Sequence, residues 1–322
     1  MSPNLTNPGL PSGGEGLEAP VAVGSLLRSM DRGAELLVLG VAQDAGVPHA
    51  GCRRPCCARA WADPSLRRAP ACLGIVDSRT SARWLIEATP ELPLQLQRLL
   101  DWSDSAAIRP RPILDGVFLT HAHIGHYLGL AQLGRESLGT RGVPVYAMPK
   151  LGRFLAQNGP WSQLVSLGNI ELRILGEGER VEIGPGLSVE PIEVPHRGEF
   201  SETVAFRIVG PRRSVLFLPD IDRWEEWGRS LEDEVGLVDI AYLDATFFDE
   251  SELPSRARSE IPHPPVVTTM ERLDRLGPDL RGRVRFLHLN HTNPLLDPSS
   301  DASRELERRG YLCAEEGDRV EL

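Results

Sequence analysis

The run His121-Ala122-His123-Ile124-Gly125-His126 constrains this chain more than any other feature. It follows directly on GVFLT, Gly116 to Thr120, an apolar segment that reads as a buried strand. Two histidines at i and i+2, leaving a strand in an extended turn, point their imidazoles at one place. The third, His126, opens a helix and faces a second place beside the first. Imidazole is neutral near pH 7 and offers a lone pair, so the pattern fits zinc, iron or manganese-like ions. The alternative, a surface cluster of histidines, is disfavoured by the strand in front of it and by the five other histidines available as partners.

Those partners stand at strand ends. His196 follows LSVEPIEV, Asp220 ends VLFLPD and His288 ends VRFLH. Taken singly, His196 reads as a loop histidine and Asp220 as a helix N-cap before Ile221. Taken together, histidines and one carboxylate converge on one edge of a sheet structure, where Asp220 can bridge two ions that share an acidified water. The other strand candidates are Glu35 to Val41, LGIVDS, ARWLIEA, VPVYAMP, IELRIL, RVEIG, TVAFRIV and VDIAYLDATF. Helical spacing marks PELPLQLQRLLDW, HYLGLAQLGRES and SSDASRELERRGY. Many short strands mixed with helices, without strict βαβ alternation, imply two packed sheets with helices outside.

Residues 1–33, rich in Pro, Gly and Ser, read as a disordered leader and not as a secretory signal, and 34–322 as a single domain. A net charge of −10 argues against a surface built to coat nucleic acid. No apolar run approaches the ~18 residues needed to span a bilayer. The expected address is the cytoplasm, and the expected partner a small-molecule substrate, with no membrane and no nucleic acid; a homodimer stays open. Cys52, Cys56 and Cys57 cluster in a Gly/Pro-rich loop, and soft thiolates in that arrangement point to zinc more than to a disulfide framework. Free thiols are the alternative, and Cys72 and Cys313 read as plain core or surface thiols.

The order H-x-H-x-x-H, His196, Asp220, His288 resembles the metallo-β-lactamase superfamily. VLGVAQDAGVPHAGC, LDATFFDESEL, FLHLNHTNPLLD and ELERRGY are similar to the coenzyme PQQ synthesis protein B branch, over Leu36 to Leu322. LDATFFDE followed by PHPP also resembles ribonuclease Z and the phosphonate-pathway cyclic phosphodiesterases. The resemblance implies an α/β (α+β) fold, the four-layer αββα sandwich. It implies one ion at His121, His123 and His196 and a second at His126 and His288, bridged by Asp220, with His263 assisting cleavage. The superfamily usually carries Asp where this chain has Gly125, which leaves the second ion three protein ligands. The PQQ proteins often keep that acid and lose the first histidines. The cysteines resemble a C-x-C-x-x-C structural site in which Arg54 replaces the middle cysteine, Cys56 substitutes, and His291 completes the set.

The leading expectation is therefore a zinc-dependent hydrolase, with one or two catalytic ions (manganese or iron being the alternatives) and a separate structural zinc. A metal-held hydroxide would attack a phosphodiester, lactone or amide. The alternatives are an iron-dependent oxidative tailoring enzyme of the PQQ synthesis protein B type and a non-catalytic binding or carrier protein. Gln43, Asp44 and Gly46 either rim the site or form a polar turn. Asp222 and Asp244 either orient histidines or act as N-cap and turn acids. Asn290, Thr292 and Asn293 read as holding the loop around His288.

Overall fold

The computed structural model describes residues 33–103, 112–252 and 262–322. The expected leader, apart from Gly33, lies outside the described residues. The chain forms two seven-stranded mixed sheets. The first runs β14-β1-β2-β3-β4-β5-β6, with β1 Ala34–Gly40, β2 Cys72–Asp77, β3 Ala82–Ile86, β4 Gly116–Phe118, β5 Val143–Ala147, β6 Ile170–Ile174 and β14 Arg319–Glu321. The second runs β13-β12-β11-β10-β9-β8-β7, with β7 Val181–Gly184, β8 Leu187–Glu193, β9 Val204–Val209, β10 Ser214–Leu218, β11 Ile240–Asp244, β12 Val284–Leu287 and β13 Leu312–Cys313.

Side-chain alternation explains why there are four layers. Along β1, Leu36 and Val38 point into a core between the sheets, while Leu37 and Leu39 join a second core outside. In β10, Val215 and Phe217 face the inter-sheet core, and Leu216 and Leu218 face a third. Strands that are apolar on both sides require a cover on both sides. Helix Leu92–Trp102 covers the first sheet through Leu92, Leu96 and Leu99, joined by Leu151, Leu155 and Trp161. Val266, Met270 and Leu273, together with Leu231 and Leu306, cover the second. Each fully buried aliphatic or aromatic side chain contributes roughly 1.5–3 kcal/mol, so the inner core fixes the two sheets against each other and the outer two fix the helices on them. The expected αββα sandwich is the observed one.

Two local expectations are corrected. HYLGLAQLGRES is not a helix throughout: one turn, Ile124–Tyr127, gives way to 3-10 turns over Leu128–Leu133. The Gly129 N–H donates to the Ala88 carbonyl at 2.8 Å, and a Cβ at Gly129 would lie 2.0 Å from the Thr89 carbonyl. Tight packing on the chain after β3 therefore wins over helical propensity. The cysteine loop, conversely, contains a helix, Pro55–Ala62, started by a proline at its first position. Helices Pro149–Gln157, Trp161–Ser166, Leu231–Gly236, Val266–Leu273 and Pro278–Arg281 add to those the spacing predicted.

Candidate metal centre

The loops at one edge of the sandwich bring the predicted histidines together. His121 Nε2 lies 2.8 Å from His123 Nδ1, and His196 Nε2 lies 3.3 Å from the same nitrogen. Nitrogens that share one tetrahedral ion at ~2.0–2.1 Å stand about 3.3 Å apart, so the three rings, with donor atoms all within 4.8 Å of one another, are close to the spacing of a shared ion. His126 and His288 form the other half. His126 Nε2 is 3.3 Å and His288 Nε2 3.5 Å from Asp220 Oδ2, while Asp220 Oδ1 is 3.8 Å from His196 Nε2. One carboxylate thus turns an oxygen to each half, and it does not cap a helix; the next 3-10 turn starts at Trp224.

The far nitrogen of every ring is held. Thr120 Oγ1 is 2.9 Å from His121 Nδ1, and it donates to Glu87 at 2.5 Å. Glu87 also sits 3.1 Å from His126 Nδ1. Asp222 is 2.7 Å from His196 Nδ1, Glu199 3.3 Å from His123 Nε2, and Thr246 Oγ1 3.0 Å from His288 Nδ1. Such partners fix tautomer and ring orientation. Glu87 and His288 both have left-handed backbones, φ 84° and 66°. That conformation costs a non-glycine residue about 1–3 kcal/mol and collects at functional sites.

Electrostatics define what the centre accepts. Burial holds the His121 imidazole well below its usual pKa, aided by His126, and lowers His123 and His288 as well. Those rings are neutral donors. For His126, burial acts downward but the Glu87 and Asp220 carboxylates outweigh it and raise the ring well above its usual value. The carboxylates demand positive charge at this point. His126 Nε2, His288 Nε2, Asp220 Oδ2 and Asp44 Oδ1 are all buried and none makes an aligned hydrogen bond. An unsatisfied buried polar atom costs roughly 1–3 kcal/mol; two imidazole nitrogens facing two carboxylate oxygens in this way fit a cation.

Asp44, which the sequence leaves as a rim residue or a turn acid, stands beside the second place. Its Oδ1 is 3.1 Å from His126 Nε2 and 4.0 Å from His288 Nε2. Burial would raise this carboxyl, but the His126 and His288 imidazoles hold it down at about 2. His263 stands 5.4 Å from His196 and 6.1 Å from His288, ring centre to ring centre. Its Nδ1 lies 2.7 Å from Asp244, which also accepts from the N–H groups of Ile221 and Thr246. Asp222 and Asp244 are thus orienting acids. Asn293 and Thr292 brace the following loop, donating to Ala245 and Glu252. The sequence reading does not include Glu87, Thr120, Glu199 and Thr246; the acid next to last in ARWLIEA, placed like Asp220 after a buried strand, is the available signal for Glu87.

A second group lies apart from this centre. Cys52, Cys56, Cys57 and His291 offer donor atoms all within 4.8 Å of one another. His291 Nδ1 is 3.4 Å from Cys57 Sγ and 3.7 Å from Cys56 Sγ. The first turn of helix Pro55–Ala62 carries Cys56 and Cys57 to the histidine, so Arg54 is not needed there. Burial pushes the Cys57 thiol up to about 12; a cation is what would hold it as thiolate.

Known proteins share this framework. A family model of the beta-lactamase superfamily domain matches residues 82–289. Coenzyme PQQ synthesis protein B of Methylorubrum extorquens (strain PA1) is 25% identical over 306 residues, covering 89% of this chain and 99% of that protein. The structure of Zn(2+)-bound PqqB from Methylobacterium extorquens superposes with a TM-score of 0.72 at 22% identity, over 89% of this chain and 100% of that one. A diphosphatase from the PhnP family superposes with a TM-score of 0.63 at 23% identity, over 90% and 97%. The resemblances read from the sequence are therefore found. Among the described residues, no helix is long and apolar enough to cross a membrane.

Proposed function

This chain belongs to the beta-lactamase superfamily domain family, and on that premise we propose that it is a metal-dependent hydrolase of a small polar or anionic substrate, a phosphodiester, lactone or amide. The observation that carries the reading is the pair of facing donor sets, with one Asp220 oxygen turned to each. His121, His123 and His196 would hold one ion, His126 and His288 the second, and Asp220 would stand between them. When bound, such ions polarise the substrate and bring the pKa of water toward neutrality.

The protein's own side chains supply the remainder. Glu87, Asp222, Glu199, Thr120 and Thr246 keep the rings in place, so little reorganisation accompanies the reaction. Asp244 fixes the His263 Nδ1 proton, which leaves Nε2 to face substrate. Burial lowers the His263 pKa, yet Asp244 outweighs it and the net shift is upward. An imidazolium held in this way can donate its Nε2 proton to a leaving oxygen or nitrogen, a step worth about 10²–10⁴-fold. Cys52, Cys56, Cys57 and His291 would hold a separate structural zinc, closed by four protein ligands.

Similarity to PQQ synthesis protein B over 89% of the chain favours one other reading, oxidative tailoring with iron at His121, His123 and His196. Elemental analysis of protein purified without added metal, with phosphodiester, lactone and amide probes and an oxygen electrode, separates the two. Zinc or manganese at the histidines with turnover of a probe is expected. A single iron with oxygen consumption coupled to product would sink the hydrolase.

A further inference from the structure

We infer that Asp44 is a ligand of the second ion, and that residue 125 is glycine because Asp44 occupies the space its side chain would fill. The inference deepens the reading of the histidine cluster as a two-ion centre and rests on it. Donor atoms of Asp44, His126 and His288 all lie within 4.8 Å of one another. His126 Nε2 and His288 Nε2 also stand 3.3 and 3.5 Å from Asp220 Oδ2, so two imidazoles face two carboxylates, whose negative charges balance a divalent cation. His126, Asp220 and His288 are each at least 97% buried, and the four donor atoms make no aligned hydrogen bond. A carboxylate that only served His126 as a hydrogen-bond acceptor would leave the other donors unexplained.

The main chain fixes Asp44 in this position. Beyond β1, the Leu289 N–H donates to the Val41 carbonyl at 2.8 Å, and the Gln43 N–H donates to the Leu289 carbonyl at 2.9 Å. This short bridge clamps the residue before Asp44 to the residue after His288. Gly46, at φ +70°, then closes the turn with an N–H to the Gln43 carbonyl at 2.7 Å. A Cβ at residue 125 would lie 2.1 Å from Asp44 Oδ1 and 2.4 Å from Asp44 Cα. A backbone atom held by that bridge cannot withdraw as a flexible side-chain tip could. Residue 125 and residue 44 therefore compete for one space, and only one of them can bring a carboxylate to the ion.

The test is elemental analysis and Zn²⁺ titration calorimetry on wild type, Asp44→Asn, Gly125→Ala and the double variant Asp44→Gly/Gly125→Asp. Asp44→Asn keeps the size of the side chain, and circular dichroism checks each variant's fold. Wild type is expected to load both halves of the histidine centre. Asp44→Asn and Gly125→Ala should each lose the second ion, or bind it at least about 100-fold more weakly, beyond the 10–100-fold typical of an outer-shell partner. The double variant should recover it, with the carboxylate now delivered from the helix turn. Undiminished stoichiometry and affinity in Asp44→Asn would overturn this inference while leaving the hydrolase reading intact. Wild type that loads only the His121, His123 and His196 half would also overturn it alone. Wild type that takes up nothing at the histidines would overturn both.

Discussion

His288 and His291 are three residues apart on one loop, yet they enter sites of different construction. The centre that takes His288 is assembled from the ends of β4, β8, β10 and β12, with nitrogen and oxygen donors and a carboxylate or hydroxyl behind every ring. The group that takes His291 draws three sulfurs from one loop and the first turn of one helix, and among the described residues no carboxylate is hydrogen-bonded to it. Cys52 and Cys56 are only partly buried, whereas His121, His126 and His288 are fully enclosed. The contrast separates what a reactive centre would require from what a staple that only holds the fold would require. A staple needs only four donors close together, so a short local segment and one distant residue suffice. A reactive centre needs each donor oriented and a shared anion between its halves, and only a rigid sandwich edge provides that.

If the contrast is right, the two groups respond independently to substitution. The largest effect is expected from replacing His121 and His123 together with alanine. Turnover should fall by at least about 10³-fold, the several kcal/mol that a metal supplies, while elemental analysis still finds the ion at the cysteines. Unchanged turnover would remove the hydrolase. Cys57→Ala should do the converse, with one zinc lost and the histidine-held ions retained. Because the binding energy of a structural ion is folding energy, thermal melts should shift down by several degrees, at roughly 2 °C per kcal/mol for a chain of this size. An unaltered metal count and melting point would show the cysteines to be free thiols.

The smallest effect concerns only the reactive centre. Asp244 raises the His263 pKa against burial, so removing its charge in Asp244→Asn should lower that pKa. The protonated donor is then lost at lower pH, and the basic limb of the kcat–pH profile should move to lower pH. A limb that stays in place would detach His263 from proton transfer.

Much of this molecule could be read from its sequence because the relevant patterns are local. GVFLT before His121, VLFLP before Asp220 and VRFL before His288 each pair a buried strand with a donor side chain after it, and a period of two is visible without knowing the neighbours. The helix expected after His126 failed because Gly129 hydrogen-bonds to Ala88, a contact that no window around Gly129 contains. Asp44 sat in a turn whose sequence fits a rim or a plain loop equally well. Gly125 looked like a missing ligand, since a single sequence shows that a side chain is absent but not what fills its place.

Residue type and short-range periodicity are enough to place the strands, the apolar faces that force four layers, and the six candidate donors of the histidine centre. Tertiary structure alone decided which of them meet. The bridge from Val41 and Gln43 to Leu289 joins the end of β1 to the end of β12, and the packing of residue 125 against Asp44 sets that carboxylate beside His126. Those contacts link segments far apart in the chain. Their geometry is set by the stacking of the two sheets, a property of the whole core and not of any one segment.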